Sequence, residues 1–448
     1  MSTDNIYFNK TGSVRYELSE KPIASGGEGA IYDVIGSSDK VAKIYHENKR
    51  SEIRRKKIEA MLRIPASDIP ECAWPREMLF QDEKFCGFVM DKLSGIGNLV
   101  DFFVYENRKN YTWKQYVVAA INIAAAVNNI HDAQLVIGDL KPDNIIIDPK
   151  NGMVRLVDTD SYQVISEDAA VYTCTVATPE YIPPELQNIN FEKNNDTLYF
   201  NNKTDDFSLA VIIFKILMNG VHPFSCFSAK RSLNDLESNI KNGNSPYFNE
   251  TNEENDIQLT LRSPEISILP SKLQQLFRRA FVEGRLHPNE RPSAEEWFYA
   301  LKDLEGHLSV CSRYSNHIYS GHLGSCPWCG LENEMAQRKA RFTELLNQKQ
   351  DQWRPEKPKP PVLVNKPPVQ KPPAISDNNS YNDDKSNMKA LAISLIFIIV
   401  MLLIIGIISA NLSMEDYFYY EYSGEYALMD TYERKMPMEP HRGENYEM

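Results

Sequence analysis

The hydrophobic pattern changes character several times along the chain. From about residue 15 to 90, short apolar runs between polar turns predict strands, of which "VAKIYH" is the clearest. One helical insert interrupts them. In "KRSEIRRKKIEAMLRI" the apolar residues Ile53, Ile58, Met61 and Leu62 recur at helical spacing. From residue 94 to 305 the pattern is mostly helical. "WKQYVVAAINIAAAVNNIHDA" and "DDFSLAVIIFKILMNG" are apolar nearly all round, which predicts helices buried in a core. Residues 331–352 are charged and helix-prone. Residues 353–388 are rich in proline and lysine, then polar, and cannot bury a core, so they predict an extended spacer. "ALAISLIFIIVMLLIIGIISA", residues 390–410, then gives 21 residues without a charge. At about 1.5 Å per residue, a helix of that length covers the hydrocarbon core of a bilayer, and a membrane span is predicted there.

Composition and charge narrow the reading. A chain of 448 residues exceeds one ordinary core, so more than one unit is expected. The formal net charge of −12 argues against a general nucleic-acid binder, which needs a basic face. The first residues contain no apolar segment of signal-peptide type, so no cleaved signal is expected. Seven cysteines are too few for a disulfide scaffold at this length. Cys72, Cys86, Cys174 and Cys226 are scattered singly and read as reduced thiols. Lys385 and Lys389 flank the apolar segment on its N-terminal side, and Lys357, Lys359, Lys366 and Lys371 lie in the spacer. Residues 411–448 carry nine acids against three bases. The positive-inside rule therefore places the N-terminal bulk in the cytoplasm and the acidic, tyrosine-rich tail outside. That tail is too short and polar for a folded sensor.

The chemistry concentrates in the first 160 residues. "IASGGEGAIYDV" places Gly26, Gly27 and Gly29 between strand-like runs, where backbone amides can approach a phosphate without Cβ clashes. A glycine-rich hairpin turn would look the same. Lys43 follows in a strand, and Glu59 sixteen residues later in the helical insert. A Lys43–Glu59 pair would fix the lysine over phosphates; Glu59 as a solvated helix residue, with Glu52 as the partner instead, is the alternative. In "VIGDLKPDNIIID" the residues Asp139, Lys141 and Asn144 supply a carboxylate, a cation and an amide oxygen in one short loop. "MVRLVDTD" delivers Asp158 nineteen residues after Asp139. Phosphoryl transfer requires these groups: a carboxylate at the attacking hydroxyl, a cation at the transferred group and oxygen ligands for Mg²⁺.

"GDLKPDN", "VDTD", "ATPEYIPPEL" and "DDFSLA" together resemble the signature set of protein kinases, in order and spacing, over about residues 15–305. The resemblance implies an α+β, two-lobed protein kinase fold, with a β-rich N-lobe over about 15–90 and a helical C-lobe over 94–305. It implies that Gly26, Gly27 and Gly29 cover ATP and that Lys43, partnered by Glu59, holds its phosphates. Met90 and Leu93 would line the adenine-facing hinge. Asp139 would be the catalytic base, Lys141 its loop lysine, and Asn144 and Asp158 the ligands of Mg²⁺ (or Mn²⁺). Glu185 and Arg291 match a structural ion pair, Asp205 a buried acid, and Thr178 the threonine packed on the base. The lysine two residues after the base and Thr178 are the serine/threonine pattern.

The sequence departs from that pattern at four places. Ala24 stands for the first glycine of the loop. Ile137–Gly138 stands for His-Arg before the base, which removes the usual partner of an activation-loop phosphate and predicts activity with little dependence on loop phosphorylation. Thr159 and Asp160 stand for Phe-Gly after Asp158, so the flip to an inactive form should be hindered. The implied activity is transfer of the γ-phosphoryl of MgATP to protein serine or threonine. A silent scaffold that binds nucleotide and docks partners is the first rival, and a small-molecule kinase the second.

Residues 311–330 form a separate patch. "CPWC" has zinc-knuckle spacing, and Cys311, Cys326 and Cys329 with His317 complete four ligands; His322 is the alternative histidine. A redox pair is the rival, but no thioredoxin-like pattern surrounds it. A closed structural zinc site is expected. A kinase followed by such a knuckle resembles bacterial kinase-like proteins that accompany a phosphatase and a von Willebrand A-type protein. That resemblance implies those partners; the apolar segment and the lysine asymmetry around it give the single span in the cell membrane and the cytoplasmic catalytic domain.

Overall fold

Seven strands build the small lobe: β1 (Ile6–Phe8), β2 (Arg15–Glu17), β3 (Ala24–Ser25), β4 (Gly29–Asp33), β5 (Lys40–Tyr45), β6 (Pro75–Gln81) and β7 (Lys84–Asp91). They form one sheet in the order β2-β1-β6-β7-β5-β4-β3, with every pair antiparallel. This computed structural model describes residues 5–93, 97–191, 199–228, 233, 235–248 and 256–352. The apolar pairs of "KVAKIY" place apolar side chains on both faces of the strand, which suits the central β5: Val41, Ala42, Ile44 and Tyr45 are all buried, with β4 and β7 on either side. Helix α1 (Glu52–Met61) crosses between β5 and β6, with Ser51 as its N-cap accepting from the Arg54 amide. Ile58 and Met61, one turn apart, are fully buried.

The large lobe is helical, as the apolar runs predict. The short α2 (Tyr105–Arg108) precedes α3 (Trp113–Asp132), which is closed at its start by a capping box of Thr112 and Gln115. Then follow α4 (Asn202–Leu217), α5 (Leu236–Asn242), α6 (Ser271–Arg278) and α7 (Ala294–Gly306). Every residue of α4 from Thr204 to Leu217 is buried, so its low amphipathicity is that of a core helix. Each large apolar side chain buried there is worth about 1.5–3 kcal/mol of transfer free energy. α3 packs against α4 and α7, and aromatic contacts join α4 to α6 and its continuation, and α6 to α7: Phe207 with Phe281, Phe214 with Phe277, and Phe277 with Trp297.

Between the helices lie three small sheets that carry the loops. β8 (Gly97–Asn98), β9 (Ile145–Ile147) and β10 (Val154–Leu156) form one, and β11 (Val164–Ile165) with β12 (Val171–Tyr172) the next. β13 (Leu308–Val310) and β14 (Ile318–Ser320) form a hairpin directly after α7, followed by α8 (Trp328–Gln352). The segment before β6 ties the lobes together: Ala73 N–H donates to Leu156 O at 2.8 Å and Leu156 N–H to Glu71 O at 2.8 Å. Among the described residues no helix is long and apolar enough to cross a membrane. The expected spacer, span and tail, residues 353–448, lie outside the described residues.

Candidate active site

The loop after α3 carries Asp139, and its backbone is held from below. Asp205, fully buried at the start of α4, accepts the Ile137 N–H at 2.8 Å and the Gly138 N–H at 2.9 Å. His131 reaches the same carboxylate at 3.1 Å. Gly138 sits at φ +76°, and a Cβ there would lie 2.6 Å from Cys174 Sγ. That explains why no arginine stands before the base: both the backbone conformation and the space call for glycine. Burial pushes the Cys174 thiol up to about 12.

Around Asp139 the polar groups close into a ring. Thr178 Oγ1 donates to Asp139 Oδ1 at 2.8 Å, Lys141 Nζ lies 2.8 Å from Asp139 Oδ2, and Lys141 also donates to Thr178 Oγ1 at 3.0 Å. Asn144 donates its side-chain N–H to Asp139 O at 3.0 Å, while its own carbonyl accepts from Val157 N–H at 2.9 Å. β9 and β10 are thereby locked together at the ends that carry Asn144 and Asp158. Asp158 is left-handed, with φ 55°. The Asn144 amide oxygen and the second Asp158 carboxylate oxygen are hard ligands of the kind Mg²⁺ takes, so the donor set fits the ion that the fold implies.

Lys43, buried on β5, does not meet Glu59. Its Nζ lies 2.7 Å from Asp158 Oδ1 and 2.6 Å from Asp160 Oδ1. Burial opposes its charge, but Asp160 and Asp158 outweigh that and hold the ammonium above its ordinary range. Asp160 is likewise held below the usual carboxylate range against its burial by Lys43 and Tyr45. Tyr45 Oη donates to Asp160 Oδ2 at 2.7 Å. Glu59 points the other way, to Lys10 at 2.7 Å and Arg55 at 3.0 Å; Glu52 also pairs with Arg55. The reason is the face of α1: Ile58 and Met61 turn into the core and bring Lys57 with them, leaving Glu59 on the outer flank.

The glycine loop divides its tasks. A Cβ on Gly29 would lie 2.3 Å from Ile44 O, so Gly29 is there for the close approach of β4 to β5 rather than for phosphate. Gly26 and Gly27 have open space where a Cβ would be, and Gly26 N–H closes the turn on Gly29 O at 2.9 Å. Arg54 on α1 grips Glu28 at the loop tip at 2.6 Å. Met90 is half-buried at the end of β7 and Leu93 follows it; residues 94–96, just after the expected hinge, lie outside the described residues. Thr159, in the place of an aromatic residue, donates its hydroxyl to Ala73 O at 2.7 Å. Arg291, fully buried, makes a two-pronged pair with Glu185 at 2.8 Å on both arms.

Lys57 is buried, and no hydrogen bond or ion pair joins it among the described residues. Desolvation lowers its pKa to about 8. A folded pKa below the unfolded value means that stability rises with pH between the two. Lys57→Met is therefore expected to be the more stable form at pH 7, by about 3 kcal/mol. The gap should close as pH rises from about 8 to 10.5, as read by denaturant melts across that range. A gap independent of pH would refute this.

The cysteine patch is gathered beside α3 of the large lobe. One ligand atom from each of Cys311, His317, Cys326 and Cys329 lies within 4.8 Å of the others. Cys311 Sγ is 3.6 Å from Cys329 Sγ, and His317 Nδ1 is 3.7 Å from both Cys326 Sγ and Cys329 Sγ. Thiolates bound at about 2.3 Å on a tetrahedron lie about 3.8 Å apart, so the cluster fits Zn²⁺. His322 is engaged elsewhere, with Ser320 Oγ at 2.8 Å and Ser267 O at 3.1 Å.

Residues 19–300 match the family model described as protein kinase domain. The chain is 30 % identical over 345 residues to protein kinase YegI of Escherichia coli strain K12, covering 75 % of this chain and 51 % of that one. It is 31 % identical over 325 residues to the protein of the same name from Escherichia coli O157:H7, covering 70 % of this chain and 49 % of that protein. Serine/threonine-protein kinase MRCK beta of Rattus norvegicus is 26 % identical over 221 residues, covering 48 % of this chain and 12 % of that protein. The chain thus spans about half the length of the YegI proteins it matches.

Proposed function

Since the chain belongs to the protein kinase family, we propose that it is an ATP-dependent serine/threonine protein kinase. It would move the γ-phosphoryl of MgATP to a protein hydroxyl. The observation that carries this reading is the closed ring of Asp139, Lys141 and Thr178, with Asn144 joining it to the Asp158 loop. Asp139 would orient the acceptor hydroxyl and take its proton at a carboxylate oxygen. The hydroxyl oxygen then bonds to the γ-phosphorus as the bond to the bridging oxygen breaks and ADP leaves. Lys141 sits beside Asp139 to meet the charge of the transferred group, and Lys43 holds the nucleotide phosphates. Mg²⁺, when bound at Asn144 and Asp158, supplies charge neutralisation.

The full chain is to be incubated with Mg²⁺ and labelled ATP beside its Asp139→Asn variant. Label on serine or threonine that the variant fails to incorporate supports the kinase. Nucleotide binding without label from either protein favours the silent scaffold, and label only on small molecules the second rival. The absence of arginine at position 138 favours activity that needs no activation-loop phosphate.

Two further elements belong to the same reading. The knuckle is proposed as a closed structural zinc site. Purified chain should carry about one zinc, and Cys326→Ser with Cys329→Ser should reduce that to near zero by elemental analysis. Full metal content in that variant would rule the site out. Residues 390–410 are proposed as a single span of the cell membrane, with the catalytic domain cytoplasmic. Protease outside intact cells should then clip the tail alone, and digestion of the catalytic domain would reverse the topology. A cognate phosphatase and a von Willebrand A-type protein are proposed partners, on resemblance.

A further inference from the structure

We propose that Asp160, braced by Tyr45, is the residue that positions Lys43 on the nucleotide phosphates. This rests on the kinase reading above and assigns a task within it. Three observations carry it. Asp160 is the anion nearest Lys43, at 2.6 Å, with its other oxygen fixed by Tyr45 Oη at 2.7 Å. Its side chain is 3 % exposed, whereas that of Asp158, the other partner, is 39 % exposed. Asp158 thus faces solvent, where a metal ion competes for it, while Asp160 is committed to Lys43. Helix α1 offers no replacement: its inward residue near Asp160 is the cation Lys57, and Glu59 is paired with Lys10 and Arg55.

The backbone supports the arrangement. Lys43 and Tyr45 are two residues apart on β5 and so share a face of the strand. Thr159, next to Asp160, is hung from Ala73 O at 2.7 Å. The clamp is therefore built from β5 and the loop after β10, with Arg54 of α1 lying over the Tyr45 ring at 4.5 Å. Asp160 acts through Lys43 and is a positioning residue, not a catalytic one.

The test compares Asp160→Asn, Tyr45→Phe, their double variant and Glu59→Gln in the full chain, by ATP titrations of phosphoryl transfer and by equilibrium binding of a fluorescent ATP analogue. Asp160→Asn is expected to lower kcat by about 100-fold with nucleotide affinity within about threefold of the parent, the loss typical of one misplaced electrostatic group. Tyr45→Phe keeps the ring and should lower kcat about tenfold, the hydrogen bond to a charged group being what it loses. The double variant should be no worse than Asp160→Asn, because both act through one carboxylate. Glu59→Gln should stay within about twofold of the parent, as for an exposed ion pair. Asp160→Asn within threefold of the parent kcat, or Glu59→Gln as impaired as Asp160→Asn, overturns the assignment. So does a Tyr45→Phe loss that adds fully to that of Asp160→Asn. A parent chain that transfers no phosphate overturns the kinase reading itself, a result distinct from any of these.

Discussion

Asp139→Asn is expected to slow phosphoryl transfer by about 10³-fold or more while leaving the fold in place. The substitution keeps the shape and one oxygen, so Thr178 can still donate at its 2.8 Å position. What disappears is the acceptor of the substrate proton and the negative partner of Lys141, now 2.8 Å from the carboxylate. Lys43→Met should be as damaging for a different reason. It removes the cation shared by Asp158 and Asp160 and leaves two carboxylates facing each other, one of them buried. Initial-rate measurements with circular dichroism of each variant check both effects. Turnover within tenfold of the parent in either would reject the assignment of that residue.

The parts of this site that were legible in the sequence are those with little choice. A carboxylate, cation and amide at fixed spacing in one loop, followed by an acid at the end of the next strand, are tied to one another by the chemistry they must do. Their placement on the ends of β9 and β10 follows from the apolar runs around them. The partner of Lys43 was not legible in this way. Helical periodicity identifies the buried stripe of Ile58 and Met61, but it does not say which flank of α1 turns toward the cleft, and Glu59 lies on the outer one. Lys57 sits in the run "RRKK", which reads as a solvated face, yet it is buried. Asp160 stood out only as a missing glycine, because the resemblance supplies a glycine there. Tyr45 carried no signal beyond that of a core aromatic residue. The available clue was the period of two that sets Lys43 and Tyr45 side by side.

The second large effect belongs to Asp205. Asp205→Asn is expected to destabilise the chain by about 3 kcal/mol and to lower activity with it. The buried carboxylate accepts two backbone N–H groups and contacts His131. An amide offers one oxygen to those two donors and turns its own N–H₂ toward one of them, which leaves buried groups unpaired. Because those N–H groups belong to Ile137 and Gly138, the strain falls on the residue before Asp139. Denaturant midpoint and kcat should therefore fall together. An unchanged midpoint would show that the acid is a passenger in the core.

The knuckle hairpin begins two residues after α7 ends, and Trp328 closes against Trp113 with ring centres 5.8 Å apart. Trp328 also donates to Ile318 O at 2.6 Å, and Arg338 further along α8 reaches back to Glu265 at 2.8 Å. The family match, by contrast, stops at residue 300. The likeness to protein kinase YegI of Escherichia coli strain K12, which covers 75 % of this chain, runs on past that point. A boundary drawn at the end of the family model would cut through an aromatic contact at the first turn of α3, so the family's catalytic unit and the body that folds around it have different edges.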